Sequence, residues 1–365
     1  MTREILTIRA LNRATLARQM LLERSDTGLV EAAQFLIGLQ GQVSEGPYQG
    51  LWSRLRGFRH EDLTALIVDR TLVRATSLRA TLHLHTVDDL LGLRPLVQPV
   101  LERMWQSAFG KRRFGDNDVR KVHRAGVKLL DRGPMTGNAL GKALQEQFPD
   151  GEALAKSVLL QVKEVLVQIP PTRIWGSGHA PIQTRAENWV SPPFERTLRR
   201  EDLTLRYLGA YGPASIADMQ AWSGMTRLAE DFAPLAGRLV AFEGEDGRVL
   251  HDLPDAPRPD EATIAPVRFL PDFDNVILGY ADRTRILSDE RAARLVATRS
   301  FRSVLVDGFV AATWSIAAAK GRARLTVTPF RTLLKREIRD IEREGRAFLQ
   351  FMQPDMTCDI VMAEV

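Results

Sequence analysis

Cysteine is nearly absent from this sequence. The single Cys358 excludes an intrachain disulfide, a zinc site built on several thiolates and an all-cysteine iron–sulfur cluster. No apolar run approaches the roughly 18 residues of a membrane span, and the N-terminal residues lack the apolar core of a signal peptide. No glycine-rich loop ends in Lys-Ser or Lys-Thr. These absences predict a cytoplasmic protein with no membrane contact, no metal site, no nucleotide and no other cofactor.

Lysine is also scarce, and arginine supplies most of the positive charge. The formal net charge is +5 and the pI is about 9.5. Guanidinium groups bind phosphates through two parallel hydrogen bonds and stack on bases, which favours nucleic acid as a partner. A GC-rich genome would give the same bias, so composition alone does not prove that the partner is nucleic acid.

The first part of the chain has the pattern of short helices followed by a hairpin. Apolar residues recur at helical spacing over residues 8–22, 29–37, 48–58 and 60–69. Residues 71–86, "TLVRATSLRATLHLHT", then alternate and are rich in β-branched side chains, which predicts a two-stranded hairpin. Helices followed by a basic hairpin are typical of a winged helix-turn-helix.

The same pattern occurs twice more, so we expect an α+β, mostly helical chain with three tandem winged helix-turn-helix units. The third copy, residues 201–253, is the clearest. A Pro- and Asp-rich linker follows, and the remainder predicts a small β-sheet module with a long helix. The expected boundaries are 1–110 for unit 1, 111–195 for unit 2, 196–255 for unit 3 and 256–365 for the C-terminal β-rich module.

Winged helices usually bind duplex DNA, so the basic residues of the first wing and of the cluster that follows a predicted long helix, residues 87–108, are candidate phosphate contacts. A solvated protein surface explains each of them equally well. His83 and His85 share one strand face and are further candidates for DNA contact; no cysteine or carboxylate stands near them at zinc-ligand spacing. The candidate phosphate-binding residues are Arg54, Arg56, Arg74, Arg79, Lys111, Arg112, Arg113, Arg283 and Arg285.

Two glutamines, Gln40 and Gln42, occur in a glycine-bounded bend, "GLQGQVSEGPYQG", where an enzyme would more commonly place carboxylates. By themselves they are typical of a polar turn that caps neighbouring helices. Glu45 is the nearest acid and is an alternative general base. Asp272, Asp274 and Asp282 are further acids in "PDFDNVILGYADRTR", where a plain strand-and-turn role is as good an explanation as a role in a cleft.

Five segments, taken in chain order, resemble the AlkZ/YcaQ-type winged-helix DNA glycosylases. They are "LNRATLARQMLLERS", "GLQGQ", "LWSRLRGF", "TLHLHTVDDLLGLRP" and "RFLPDFDNVILGYADRTRI", and the resemblance covers nearly the whole chain. That family carries a catalytic Gln-x-Gln or Gln-x-Asp element. The resemblance places it on Gln40, Gly41 and Gln42, the AlkZ-like Gln-x-Gln subtype, and Gly41 departs from the usual apolar middle residue.

The resemblance implies a monofunctional DNA glycosylase. Its expected substrates are cationic alkylated purines in double-stranded DNA, N7-alkylguanine and N3-alkyladenine, and the family is also associated with bulky adducts and interstrand cross-links. Such bases are already good leaving groups, so paired amides that orient a water can replace a carboxylate. No lysine stands in the bend, so a Schiff-base lyase step is not expected.

Three unlike units in one chain can wrap a single site, which predicts a monomer. The rival interpretation is a non-catalytic winged-helix regulator that binds DNA in a sequence-specific way and releases no base. A structural or protein-interaction role for the repeats is a third, weaker alternative.

Overall fold

The structure is a computed structural model that describes residues 3–191, 198–288, 290, 293 and 301–364. The predicted boundary at 195/196 lies outside the described residues. Among those residues, the helices are α1 Ile8–Arg18, α2 Leu29–Phe35, α3 Gly46–Trp52, α4 His60–Val68, α5 Val87–Phe114, α6 Val119–Arg132, α7 Gly137–Gln147, α8 Ala153–Lys163, α9 Arg200–Tyr211, α10 Ile216–Ser223, α11 Ala229–Phe232, α12 Asn275–Leu278 and α13 Lys335–Met352.

The strands form three sheets, and the mixed α+β class is confirmed. In the described ranges they are β1 Ile5–Leu6, β2 Leu39–Gln40, β3 Leu72–Thr76, β4 Leu82–Thr86, β5 Met135–Thr136, β6 Leu166–Gln168, β7 Ile182–Arg185, β8 Val240–Gly244, β9 Val249–Asp252, β10 Arg268–Leu270, β11 Ser303–Val306, β12 Phe309–Ala319, β13 Arg322–Pro329 and β14 Thr357–Met362.

The hairpins predicted in the first two units belong to one six-stranded sheet, in the order β2-β4-β3-β6-β7-β5. Strand β3 pairs with β6 through Arg74 opposite Gln168 and Ala75 opposite Val167. The hairpin β8–β9 lies in a separate three-stranded sheet, where β1 joins β8 in parallel. The division into three winged-helix units stays a prediction, because a shared sheet joins the first two stretches.

The long helix α5 continues further than the predicted residues 87–108. It reaches Phe114, with a kink at Gly110, so Lys111, Arg112 and Arg113 lie in its last turn and not in a following loop. Thr86 caps its start by accepting a hydrogen bond from the Asp89 amide. The inner face of α5 packs with α9 and α10 around stacked Tyr207 and Tyr211.

The C-terminal module is a five-stranded sheet in the order β10-β11-β12-β13-β14, covered by α13. The prediction of strands and one long helix is confirmed, but only Arg268–Leu270 of "PVRFLPDFDNVILGY" is a strand. Asp274 ends that extended segment, because its side chain accepts from the Val276 amide and caps α12. Strand β14 was not predicted from the sequence.

The amphipathic helix α13 fits this sheet through its buried side, where Phe348 stacks on Phe269 with ring centroids 5.2 Å apart. None of the helices in the described part of the chain combines the length and the apolar composition needed to cross a bilayer.

Candidate active site

The glutamine bend begins where α2 ends. Gly38 has a φ of +92°, and a side-chain Cβ at this position would lie 2.3 Å from the His85 Nδ1 atom, so only glycine fits. Its carbonyl accepts from the Asn275 Nδ2 atom at 2.8 Å. Residues 39–40 then form β2, with Gln40 opposite His83. The first glutamine is therefore held on a strand whose neighbours come from distant parts of the chain.

Gly41 lies against the Arg74 side chain, and nothing in the structure explains the departure from an apolar middle residue, because a Cβ here would make only an ordinary contact. A Cβ on Gly41 would lie 3.4 Å from the Arg74 side chain. The buried guanidinium donates to the carbonyls of Gly41 at 2.7 Å, Ser44 at 3.2 Å and Arg173 at 3.2 Å. Burial lowers the pKa of Arg74 to about 10, so it remains charged at neutral pH. The expected phosphate contact by Arg74 is wrong in this structure, because its hydrogen bonds hold the bend.

Arg79 also points inward, toward the first glutamine. Its Nη2 atom donates to the Gln40 Oε1 atom at 2.8 Å, and its Nη1 atom donates to the Trp222 carbonyl. Burial lowers the pKa of Arg79 to about 10, and the positive charge of Arg283 lowers it further. The wing role predicted for Arg79 is therefore replaced by a contact with a candidate catalytic side chain.

The two glutamines differ sharply in exposure. Gln40 is 8% exposed, whereas Gln42 lies beyond the end of the strand with its side chain in solvent. The structure gives the Gln42 side chain no hydrogen bond from the described residues, and only its backbone carbonyl accepts, from the Arg173 Nη1 atom at 3.4 Å. The bend thus presents one fixed amide and one free amide two residues apart.

His83 and His85 are not DNA contacts, because both are almost fully buried. The His83 Nδ1 atom lies 3.1 Å from the Thr81 carbonyl, and its Nε2 atom lies 3.4 Å from the Arg79 Nη2 atom. Burial, Arg79 and His85 hold the pKa of His83 well below its ordinary value. His83 is therefore neutral, with Nδ1 protonated toward Thr81 and a lone pair facing the guanidinium.

Two more of the predicted phosphate contacts are structural. Arg54 is buried and forms a bidentate pair with Asp274, at 2.9 and 2.7 Å. Arg285 is buried, donates to the Pro213 carbonyl at 2.8 Å and covers the Tyr280 ring. Neither guanidinium is accessible to a phosphate here, because each is enclosed by protein partners. Asp274 is accordingly a buried partner of Arg54 and not a cleft acid.

The exposed candidate phosphate contacts fall into two groups, those paired with an acid of the protein and those that are not. Arg56 pairs with Asp26 at 2.5 Å, Lys111 with Asp116 at 3.0 Å and Arg113 with Glu152 at 2.7 Å. Arg112 is exposed and makes no ion pair within the described ranges. Arg283 is half-buried, has no hydrogen-bond acceptor among the described residues, and has a pKa lowered by burial. Arg112 and Arg283 are thus the candidates best placed to accept an external anion.

The three remaining candidate acids, Glu45, Asp272 and Asp282, have hydrogen-bond partners within the protein. Glu45 precedes α3 and lies 3.5 Å from the Gln49 Nε2 atom. Asp272 accepts from the Arg302 Nε atom at 2.9 Å. Burial acts to raise the pKa of Asp282, but hydrogen bonds from Thr284 and Arg248 outweigh it, so the pKa lies below its ordinary value. These contacts favour structural roles for Asp272 and Asp282, and Glu45 stays an alternative base.

One basic surface was not predicted from the sequence. Four exposed cations lie three to four residues apart on one side of α6, and none of them forms an ion pair with a described residue. Their spacing is present in "VRKVHRAGVKLLDR", beside the apolar period that predicts the helix. The four are Lys121, Arg124, Lys128 and Arg132.

Comparisons with known proteins identify the family and the fold. The family model described as DNA glycosylase AlkZ-like matches residues 34–351. An interstrand DNA cross-link repair glycosylase from Streptomyces sahachiroi is 25% identical over 352 residues, which is 90% of this chain and 92% of that protein. The solved structure of the Streptomyces sahachiroi DNA glycosylase AlkZ aligns with a TM-score of 0.77 at 20% identity, over 98% of this chain and 100% of that one, and so shares the fold.

Proposed function

This chain belongs to the AlkZ-like DNA glycosylase family, and we propose that it is a monofunctional glycosylase for cationic alkylated purines in double-stranded DNA. Its proposed substrates are N7-alkylguanine and N3-alkyladenine. The observation that carries the proposal is the Gln40–Gln42 bend, in which two amides lie at the end of an edge strand and the inner one is held by Arg79.

The chemistry needs little from the protein beyond orientation and charge stabilisation. The bond from the deoxyribose C1′ to the base nitrogen breaks, and its electron pair neutralises the positive charge of the base. The oxygen of a water molecule bonds to C1′ and releases a proton to solvent. The transition state resembles an oxocarbenium ion, as in other glycoside cleavages. A neutral amide oxygen is a sufficient acceptor for that water because the leaving group is already activated.

Bulky adducts and interstrand cross-links are the second proposed substrate class. The relative from Streptomyces sahachiroi is a cross-link repair glycosylase by name. Strand β2 is at the edge of its sheet and Gln42 is exposed, so the bend can be reached from outside the protein through Gln42. Most base-modifying enzymes flip the target nucleotide into an enclosed pocket, which a cross-linked base cannot enter. An open site suits such lesions.

The proposed partner is duplex DNA, bound by a monomer through three winged-helix units and without a cofactor. Arg112, Arg283 and the four cations of α6 are the proposed phosphate contacts, since none of them forms an ion pair with a described residue. Affinity should fall steeply with salt, because neutralising phosphates releases counterions.

The test is single-turnover release of base from duplex DNA carrying N7-methylguanine, with abasic sites scored as alkali-labile breaks. Wild type is compared with Gln40→Ala, Gln42→Ala and the double variant. Gln34→Ala is the matched control, since Gln34 is an exposed glutamine on α2, outside the bend. We expect base release by wild type and the control, and its loss in the bend variants while DNA binding persists.

A nitrogen-mustard cross-linked duplex extends the test to bulky lesions. Tight, sequence-specific binding with no release from either substrate would overturn the proposal in favour of the regulator. Absence of DNA binding at low salt would favour a protein-interaction role instead.

A further inference from the structure

Gln40 and Gln42 have different surroundings, and this difference indicates different roles in base release. We infer that Arg79 is a positioning residue, which fixes the Gln40 amide so that its NH2 group faces the DNA and leaves the Gln42 oxygen to hold the water. This inference rests on the proposed function and deepens it.

The orientation of the Gln40 amide follows from donor and acceptor chemistry. The two ends of a glutamine amide have nearly the same shape, but arginine carries donors only. The atom that lies 2.8 Å from the Arg79 Nη2 atom must therefore be the Gln40 oxygen. The Gln40 Nε2 atom points away from Arg79 and makes no hydrogen bond with any described residue. Its two hydrogens are free to donate to a DNA phosphate.

Gln42 has the opposite properties. Its side chain is exposed and no described residue donates to its oxygen. The backbone of Gln42 is nevertheless held in position, because Arg74 donates to the carbonyl of Gly41 and Arg173 donates to the carbonyl of Gln42. A free acceptor on a fixed backbone is what the orientation of an attacking water requires.

Arg79 is itself held from three sides. It lies in the turn between β3 and β4 with a φ of 53°, an uncommon left-handed conformation for a residue with a side chain. Its Nη1 atom donates to the Trp222 carbonyl at the end of α10. Gly224 packs on the turn, where a Cβ would come within 3.3 Å of the Arg79 Cα atom. The His83 lone pair faces the Nη2 atom. The guanidinium is therefore held by contacts with α10 and with His83.

The first experiment separates positioning from phosphate contact. In Arg79→Met the side chain keeps its bulk but loses its donors. We expect the single-turnover rate to fall by about 100-fold, the cost typical of a misplaced reacting group. The salt dependence of DNA binding should not change, whereas removal of a phosphate-binding group would lower the slope of log K against log salt by about 0.9. Arg339→Met, an exposed arginine on α13, is the matched control.

A double-mutant cycle tests the route through Gln40. If Arg79 acts by holding Gln40, Arg79→Met should cause no further loss of rate in the Gln40→Ala background. Equal losses in both backgrounds would overturn the inference. Arg79→Lys keeps one donor and should recover part of the rate. Denaturant unfolding of each variant shows that the compared chains are folded, and Arg79→Lys carries the test if Arg79→Met does not fold.

Charged replacements test the division of work between the two amides. Gln40→Glu can still accept from Arg79 but has no NH2 group, so we expect about a 100-fold loss of rate. Gln42→Glu keeps an acceptor and should lose markedly less. The reverse order would exchange the two roles and refute the assignment.

One readout does not depend on base release. The side-chain amide signals of Gln40, assigned by their absence in Gln40→Ala, should be dispersed in wild type by nuclear magnetic resonance. They should move to the position of a free glutamine in Arg79→Met. Unchanged signals would refute the contact. If wild type releases no base but these signals move, the proposed function fails while the contact stands.

Discussion

The arginines around the glutamine bend and the cations at the end of α5 and along α6 have the same charge but opposite surroundings. Arg54, Arg74 and Arg285 are buried, and their donors meet carboxylates and carbonyls of the protein. The cations of α6 are exposed without an ion-pair partner in the described ranges. An arginine near a DNA-binding element therefore identifies a phosphate contact only when its donors are free.

Physical chemistry explains why the buried set exists. A bend with several unpaired backbone carbonyls needs donors, and a guanidinium offers five in a rigid plane. Arg74 donates to three carbonyls, and the contact with the Gly41 carbonyl is buried, where an unsatisfied acceptor would cost about 1–3 kcal/mol. In this region the arginines hold the site in place, and four predictions test the contrast with the exposed cations.

The largest effect is expected at the buried pair. Arg54→Met leaves the Asp274 carboxylate buried without its partner, so the free energy of unfolding should fall by about 3–5 kcal/mol, measured by denaturant titration. Arg54→Met combined with Asp274→Asn removes the unpaired buried carboxylate and should recover part of the lost free energy of unfolding. A change in DNA affinity without a change in stability would contradict the structural role of Arg54.

Acid should destabilise the same region. Burial, helped by Arg206 and opposed by Asp89, lowers the pKa of His85 to about 4. The unfolded chain binds a proton near pH 6.5, so stability is fully present above that pH and falls between about 6.5 and 4, by up to about 3 kcal/mol. Unfolding titrations of wild type and His85→Gln across this window test it, and a steeper pH dependence in the variant would contradict it.

A smaller effect is expected on the exposed side. Arg124→Ala with Lys128→Ala should lower the slope of log K against log salt by about 1.8, that is about 0.9 for each phosphate that the protein no longer neutralises. Stability should be unaffected, since neither side chain is paired or buried. Fluorescence anisotropy on an undamaged duplex at several salt concentrations measures the slope. An unchanged slope would place the DNA elsewhere.

The smallest effect is expected at the end of α5. The Arg113 guanidinium is already paired with Glu152 at 2.7 Å. Arg113→Ala should therefore change neither the salt slope nor the unfolding midpoint beyond experimental error, because exposed ion pairs contribute little. A fall of the slope by about 0.9 would show that DNA displaces Glu152.

The sequence predicted the helices, the hairpins and the position of the bend because those depend on local periodicity and on glycine. It could not predict that β3 would pair with β6, or that β14 would complete the last sheet, since such pairings depend on distant residues. The inward direction of Arg74 and Arg79 was missed for the same reason: their acceptors, at Arg173 and Trp222, lie far along the chain.

The residues that form the site are synthesised at different times. The backbone amide of Gln40 lies 3.4 Å from the Asn275 Oδ1 atom, across 235 residues of sequence. Ribosomes add about 5–20 residues per second, so the bend emerges tens of seconds before the segment that completes it. A chain whose translation stops before residue 275 carries both glutamines but lacks the Asn275 contacts to the backbone of Gly38 and Gln40. The bend therefore reaches its final set of hydrogen bonds only after the C-terminal module has been synthesised.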